Sequence, residues 1–131
     1  MHLSETIPAT LEAISEFIQS LEQRLESTPL AVRIGITLPL QELCVNIVRH
    51  AYEGREGQIL IEMNQTGQDM AITVTDSAPK AFTPSTAIVP PDLNELPEGG
   101  MGLFIIYQSF DRVIYERLTL GNRWHLTKTL S

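Results

Sequence analysis

The stretch from residue 42 to residue 52, ELCVNIVRHAY, constrains the fold more than any other part of the chain. Taken as a helix, it places Glu42, Asn46 and the pair Arg49 and His50 on one face, because their spacings are four and seven to eight residues. The remaining positions are apolar over most of the circumference, which is typical of a buried helix. An unpartnered carboxylate is very unfavourable inside a core. The polar stripe must therefore be paired internally or line a pocket.

The composition is that of a globular protein. With 131 residues, 43% hydrophobic and 19% charged, the chain is predicted to form a single domain over residues 1–131. A net charge of -7 argues against a general binder of nucleic acid or of anionic membranes, since both need a basic surface. Cys44 is the only cysteine, which excludes an internal disulfide, and its apolar neighbours favour an inert core thiol over a nucleophile.

The start of the chain lacks the basic and then apolar pattern of a signal peptide. No apolar stretch approaches the length of about 20 residues that a membrane span needs, so no membrane span is predicted. We therefore expect a soluble cytoplasmic protein.

Hydrophobic periodicity predicts alternating blocks of helix and antiparallel strand. The expected elements are a strand at residues 3–7, a helix from Pro8 to about residue 26, an apolar run from Leu30 to Tyr52, strands at 58–65 and 70–75, a helix after residue 102, and strands at 113–118 and 123–130 turned at Gly121 and Asn122. Gly35 and Pro39 predict a break or kink in the apolar run, with a firm helix after it. This order predicts a two-layer α+β sandwich with helices on one face of the sheet.

Residues 77–98 form a long connection. Five prolines lie in it, which excludes a regular helix or a central strand. A loop of this length in a small domain is usually functional or mobile.

Three elements are candidates for one binding site. Glu42 and Asn46 pair a possible proton acceptor with a hard oxygen ligand for Mg²⁺, although a partly solvated helix edge has the same pattern. Asp76 ends a predicted strand and has the carboxylate to accept a hydrogen bond from an amine such as that of adenine. An ordinary Asx turn is the alternative there.

The third element is the run Gly99, Gly100, Met101 and Gly102 directly before a helix. Glycines admit close backbone approach, and the free N–H groups of a helix start favour phosphate oxygens. The same run also suits a plain connection. It is neither a P-loop, because no Gly-Lys-Ser/Thr follows, nor a Rossmann fingerprint, because no strand precedes it.

In their order along the chain, these elements resemble the ATP-binding domain of the gyrase, histidine-kinase and MutL (GHKL) superfamily. The likeness is greatest to single-domain anti-sigma-factor serine/threonine kinases of the RsbW and SpoIIAB type. ELCVNIVRHAY resembles the N box, DSAPKAFTP at residues 76–84 the first glycine box, GGMGLFII at 99–106 the second, and NRWHLTKTL at 122–130 the final strand. The resemblance implies the Bergerat fold, a two-layer sandwich whose mixed sheet is mostly antiparallel.

The resemblance also implies roles for individual residues. Glu42 would be the catalytic base, Asn46 the magnesium ligand, and Asp76 the reader of the adenine amino group, supported by Thr127. Arg49 or His50 would reach the phosphates, and residues 83–98 would form an ATP lid. The nucleotide-binding positions it implies are Asn46, Arg49, His50, Asp76, Ala78, Gly99, Gly100, Met101, Gly102, Leu103 and Thr127. Ala78 and Lys80 stand where the family carries glycines, and a Cβ there would narrow the adenine pocket or block a positive-φ turn.

By the same resemblance, the protein would use ATP and Mg²⁺ to phosphorylate a STAS-domain antagonist and would sequester a sigma factor in partner switching. A homodimer would be typical, and neither nucleic acid nor membrane would be a direct partner. One alternative is a non-catalytic module that uses nucleotide to set its affinity for a regulatory partner. A phosphotransfer domain detached from a histidine kinase is disfavoured, because no phosphoacceptor-helix pattern surrounds His2, His50 or His125.

Overall fold

Five strands form one sheet, and helices cover one of its faces. The computed structural model describes residues 1–79 and 101–130, with the backbone alone for residues 101–103. In chain order the elements are β1 (His2–Pro8), α1 (Leu11–Arg24), α2 (Leu30–Asn46), a π-helical turn (Ile47–Ala51), β2 (Gln58–Thr66), β3 (Asp69–Asp76), α3 (Met101–Ser109), β4 (Arg112–Arg117) and β5 (Asn122–Thr129). The two predicted strand pairs and the helix after the glycine run are confirmed.

The strands follow the spatial order β1-β2-β3-β5-β4. Each neighbouring pair is antiparallel. The predicted two-layer sandwich is therefore confirmed, and its described sheet is antiparallel throughout rather than mixed.

Alternation along the strands places the core on one face of the sheet. Ile61 lies opposite Val74, which lies opposite Trp124, and all three side chains are buried. The row beside them, which includes Glu62 and His125, points outward. The helices supply the other half of the core through Ile14, Phe17, Ile18, Leu21, Ile36, Leu40, Leu43, Cys44 and Ile106.

The first helix begins later than predicted. Pro8 belongs to β1, where it lies opposite Gln58, rather than to the first turn of α1. Thr10 is the N-cap, and its Oγ1 accepts a hydrogen bond of 3.1 Å from the backbone N–H of Ala13. A threonine cap satisfies a helix-start donor, which explains why the helix starts after Thr10.

Of the break or kink predicted near residues 35–39, the break is wrong, because α2 continues through Pro39. A proline inside a helix leaves the carbonyl four residues earlier without its N–H donor. Here that carbonyl belongs to Gly35, and it accepts a hydrogen bond of 3.1 Å from Lys128 Nζ on β5. A Cβ on residue 35 would lie 2.7 Å from the same nitrogen, so glycine makes room for the lysine. A contact from a distant strand thus replaces the missing helical bond.

Because α2 is not interrupted, Leu30–Ala51 is 22 residues long and apolar enough by length and composition to cross a membrane. The prediction that no apolar stretch approaches that length was wrong. Half of the most apolar part of this helix is buried inside the protein, and α2 contacts both α1 and α3. These contacts are those of a core helix.

Lys128→Met is expected to lower the free energy of unfolding by about 1 to 3 kcal/mol, because the Gly35 carbonyl loses a charged donor. Urea unfolding monitored by circular dichroism measures the change. Pro39→Ala supplies a backbone N–H to the same carbonyl, so Lys128→Met should cost much less in that background. Equal costs in the two backgrounds would contradict the assigned contact.

Candidate functional site

Asp76, the last residue of β3, carries a buried carboxylate on the core side of the sheet. It lies between Ile59 on β2 and Asn122 on β5, and its side chain is 3% exposed. Its Oδ1 accepts hydrogen bonds from the Ala78 backbone N–H at 2.9 Å and from Asn122 Nδ2 at 3.0 Å. Oδ2 is inaccessible and has no hydrogen-bond partner among the residues that the structure describes. The Asx-type bond to Ala78 is therefore present, and it occupies only one of the two oxygens.

Burial raises the pKa of Asp76 above its usual value, because desolvation penalises the charged form. The hydrogen bonds from Ala78 and Asn122, and the positive charge of Arg117, oppose that rise. The site therefore combines a costly position for a carboxylate with donors that favour its ionised form.

Asn122 is the side-chain partner that sequence reasoning missed. It is fully buried, and its Oδ1 accepts hydrogen bonds from the Tyr115 hydroxyl and from Arg117 Nη1 at 3.4 Å. Its position opposite Asp76 follows from the register of β3 and β5. The signal available in the sequence was the turn at Gly121, which makes Asn122 the first residue of the returning strand.

Thr127, predicted to support Asp76, does not do so. It lies opposite Ala71 on one side and Arg112 on the other, five positions along β5 from Asn122. Its side chain is exposed. The prediction chose the wrong end of the strand, and Asn122 occupies the supporting position.

The backbone after Asp76 is held by Arg117. The guanidinium donates to the Pro79 carbonyl at 3.0 Å and to the Ala78 carbonyl at 3.4 Å. Ala78 is fully buried, and Glu53 is the non-glycine residue with a positive φ in the described chain. Ala78 therefore does not block a positive-φ turn, which was one of the two effects expected of a Cβ at this position. Lys80 lies outside the described residues.

Gly121 allows the β4–β5 turn to approach Asp76 closely. Its φ of 113° lies in the region that favours glycine, and a Cβ there would come within 1.9 Å of the Asp76 carbonyl oxygen. Any side chain at this position would push the turn away from Asp76.

Tyr52 connects the end of the helix to the same segment. Its hydroxyl accepts a hydrogen bond of 2.9 Å from the Ser77 backbone N–H and donates to the Gln58 carbonyl at 2.5 Å. The ring is buried. The start of β2 and the residue after Asp76 are thus tied to one phenol.

Only part of the predicted polar stripe is present in the structure. Asn46 is buried, and its Nδ2 is inaccessible and has no partner among the described residues. Glu42 lies one α-helical turn earlier and is half-buried. Arg49 and His50 fall in the π-helical turn, where the Tyr52 N–H bonds to the Ile47 carbonyl five residues earlier at 3.0 Å. The wider turn shifts these exposed residues from the Glu42–Asn46 line, and such turns are frequent at functional sites.

Cys44 lies in the core, and burial raises the pKa of its thiol to about 12. A thiol that resists ionisation is a poor nucleophile, so the prediction of an inert core residue is confirmed.

The structure describes only the last part of the glycine run. The backbone of α3 begins at Met101 and includes Gly102 and Leu103. Gly99, Gly100 and the predicted lid at residues 83–98 lie outside the described residues. The predicted roles of these positions stay predictions.

Tyr52→Phe is expected to lower the free energy of unfolding by about 1 to 3 kcal/mol, because two partly buried hydrogen bonds to the backbone are lost while the ring remains. Amide hydrogen exchange at Ser77 should become faster. Ser77→Ala is the matched control, since it removes only the 3.3 Å contact between the two hydroxyls and keeps the backbone bond. Unchanged stability and exchange in Tyr52→Phe would contradict this role.

Comparison with known proteins places this geometry in a family. Residues 5–128 match the histidine kinase-like ATPase domain family. The serine-protein kinase RsbW of Halalkalibacterium halodurans is 32% identical over 127 residues, which cover 86% of this chain and 76% of that protein. The serine-protein kinase RsbW of Bacillus mycoides is 30% identical over 128 residues, which cover 86% and 78%.

Solved structures share the fold. The RsbU and RsbW domains of a Mycobacterium tuberculosis protein match with a TM-score of 0.69 at 17% identity, over 99% of this chain and 32% of that chain. The histidine kinase domain of a blue-light activated kinase from Erythrobacter litoralis matches with a TM-score of 0.59 at 16% identity, over 94% and 61%. At these identities the likeness establishes the fold, and the kinase group follows from the sequence relatives. The chain therefore belongs to the histidine kinase-like ATPase family and, within it, to the serine-protein kinases of the RsbW type.

Proposed function

We propose that this protein is a cytoplasmic protein serine/threonine kinase that transfers phosphate from ATP, with Mg²⁺, to a STAS-domain antagonist. In the same proposal it sequesters a sigma factor, so that phosphorylation of the antagonist decides which partner it holds. The names of the RsbW relatives support the kinase assignment. An acidic chain suits a partner with basic surface, and a homodimer is the expected assembly.

The observation that carries the proposal is the Asp76 carboxylate. Two protein donors occupy Oδ1, while buried Oδ2 has no partner in the described residues. A buried acceptor of this kind is costly unless something donates to it. The exocyclic amine of adenine is such a donor, and an ionised acceptor strengthens the bond.

Asn46 fits the proposed metal. Its side chain is buried, and its amide nitrogen has no hydrogen-bond partner among the described residues. Those residues contain no group of three or more His, Cys, Asp or Glu able to hold a metal ion. Mg²⁺ typically takes one or two protein oxygens together with phosphate oxygens and water, which the Asn46 amide oxygen suits. When bound, the ion would neutralise phosphate charge.

Glu42 is the proposed general base. It lies one turn from Asn46 on α2, and its half-buried position keeps the carboxylate reachable from outside the core. In the transfer step it takes the proton of the substrate hydroxyl as that oxygen bonds to the γ-phosphorus. The bond between the γ-phosphorus and the bridging oxygen breaks, and ADP leaves with its electron pair.

The start of α3 is proposed to bind phosphate through backbone N–H groups. The contributing positions are Gly99, Gly100, Met101, Gly102 and Leu103. Free N–H groups and the helix dipole both favour anions at a helix start. Arg49 and His50 would add side-chain contacts from the π-helical turn, with residues 83–98 as a lid.

A non-catalytic module is the second candidate function. The buried pair Asp76 and Asn46 would bind nucleotide in either case, because neither depends on Glu42. Nucleotide would then change partner affinity without phosphate transfer. Glu42 is the residue on which the two functions differ.

Mg-ATP at about one hundred times its dissociation constant should stabilise the wild type by about 2.7 kcal/mol. Asp76→Asn should bind ATP about 10- to 100-fold more weakly, because it loses a charge-assisted hydrogen bond. Thermal unfolding with and without Mg-ATP measures both effects. Absence of a shift in the wild type at millimolar ATP would overturn the proposal.

Without nucleotide, the wild type and Asp76→Asn should differ in how their stability depends on pH. Because the folded-state pKa of Asp76 is raised above the usual 3.8, folding favours its protonated form. That contribution is fully present below the unfolded-state pKa and is lost as the pH rises through the folded-state pKa. The free energy of unfolding of the wild type, minus that of Asp76→Asn, should therefore fall as the pH rises. A difference that does not change with pH would contradict the raised pKa of Asp76.

Glu42→Gln should slow phosphate transfer by about 100-fold or more, the usual contribution of a general base, while Mg-ATP affinity changes little. Transfer of labelled γ-phosphate to the cognate STAS protein provides the rate, and calorimetry provides the affinity. Asn46→Ala is the contrasting variant and should lose affinity first. If the wild type binds the STAS protein and Mg-ATP but never labels it, the non-catalytic module is correct.

A further inference from the structure

We propose that Tyr115 is a positioning residue that sets the nucleobase selectivity of Asp76 by fixing the direction of the Asn122 amide. This inference rests on the proposed function, in which Asp76 reads the adenine amine. Tyr115 lies on β4 at the edge of the sheet; its hydroxyl donates to Asn122, which in turn donates to Asp76.

The amide of Asn122 has different groups on its two sides. Two donors, the Tyr115 hydroxyl and Arg117 Nη1, converge on Oδ1. Nδ2 donates to Asp76 Oδ1 at 3.0 Å. A flipped amide would place its NH₂ against two donors and its oxygen against a carboxylate oxygen. The hydrogen-bond partners therefore determine the direction of the amide.

Tyr115 is itself held in place by packing. Its ring centroid lies 5.0 Å from that of Trp124, with the planes tilted by 53°. Trp124 is fully buried and lies opposite Val74 in the centre of the sheet. The hydroxyl that orients Asn122 is thus attached to a ring anchored in the core.

The fixed amide determines what Asp76 can accept. The hydrogen bonds from Ala78 and Asn122 to Oδ1 favour the ionised form against the opposing effect of burial, and Oδ2 has no partner among the described residues and is left as an acceptor. An amine at position 6 of a purine donates to Oδ2, whereas a 6-keto oxygen meets a second acceptor. A protonated Asp76 would tolerate either group, since a carboxylic acid can donate as well as accept. Selectivity for adenine therefore depends on keeping Asp76 ionised.

Other groups around Asp76 stay in place when the Tyr115 hydroxyl is removed. Among the described charged or titratable side chains, Arg117 on β4 acts on the Asp76 carboxylate through its charge, and Tyr52 at the helix end bonds the backbone of the adjacent Ser77. Arg117 retains its favourable charge on Asp76. On β2 the residue opposite Asp76 is Ile59, and on β5 Arg123 lies in the outward row with Glu116. A change in Tyr115→Phe is therefore assigned to the amide.

Tyr115→Phe keeps the ring and removes the hydroxyl, and two measurements test the inference. In the nucleotide-free protein, NMR titration of the Asp76 carboxyl carbon should show a higher pKa than in the wild type. Calorimetry with ATP and inosine triphosphate, which has a keto oxygen in place of the amine, should show the ratio of dissociation constants falling about 10-fold, as expected when one hydrogen bond to a charged group is weakened. Glu116→Gln, the next residue on β4, bonds His125 on the outer face and should change neither quantity.

Asn122→Ala shows whether Tyr115 acts through the amide. It should raise the Asp76 pKa by itself, and Tyr115→Phe should add nothing in that background. The same variant supplies the test if Tyr115→Phe fails to fold. A wild-type pKa and selectivity in Tyr115→Phe would overturn this inference and leave the proposed kinase intact. Failure of the wild type to prefer ATP over inosine triphosphate would overturn both the inference and the adenine-reading role of Asp76.

Discussion

The buried carboxylate of Asp76 is the constraint around which the neighbouring structure is arranged. A charge between helices and sheet is unfavourable unless donors surround it. Ala78 and Asn122 supply two of them, both at Oδ1. One oxygen is thus satisfied, and the other has no donor among the residues that the structure describes. A carboxylate needed only for stability would be expected to have both oxygens satisfied.

Three contacts hold the chain segment around this carboxylate. Tyr52 holds Ser77 from the helix end, Arg117 holds Pro79 from the edge strand, and Gly121 lets the β4–β5 turn contact the Asp76 backbone. Elements far apart in sequence therefore converge on four consecutive residues. In the proposed function Asp76 reads a base, and a base-reading group is selective only when it cannot move to suit a different base.

The sequence predicted those features that depend on local pattern. Alternating residues predicted the hairpins, and the position of Asp76 at a strand end followed from them. Pro39 misled the prediction because the bond that it removes is replaced by Lys128, 93 positions from Gly35. The π-helical turn at Arg49 and His50 leaves no periodic signal in five residues. The supporting role assigned to Thr127 failed because pairing register, rather than composition, decides which residue of β5 faces Asp76.

In the proposed function, nucleotide binding and phosphate transfer are separable for a physical reason. Asp76 and Asn46 are buried, so changing either one alters the interior and the proposed nucleotide site together. Glu42 lies one turn before Asn46 on α2 and is half-buried, so its carboxylate can be lost or regained with little effect on the core. A kinase of this type and a nucleotide-dependent binding module would consequently share almost every interaction described for the pocket. Their difference rests on one accessible carboxylate, which makes the Glu42 variant more informative about function than any variant of the buried network.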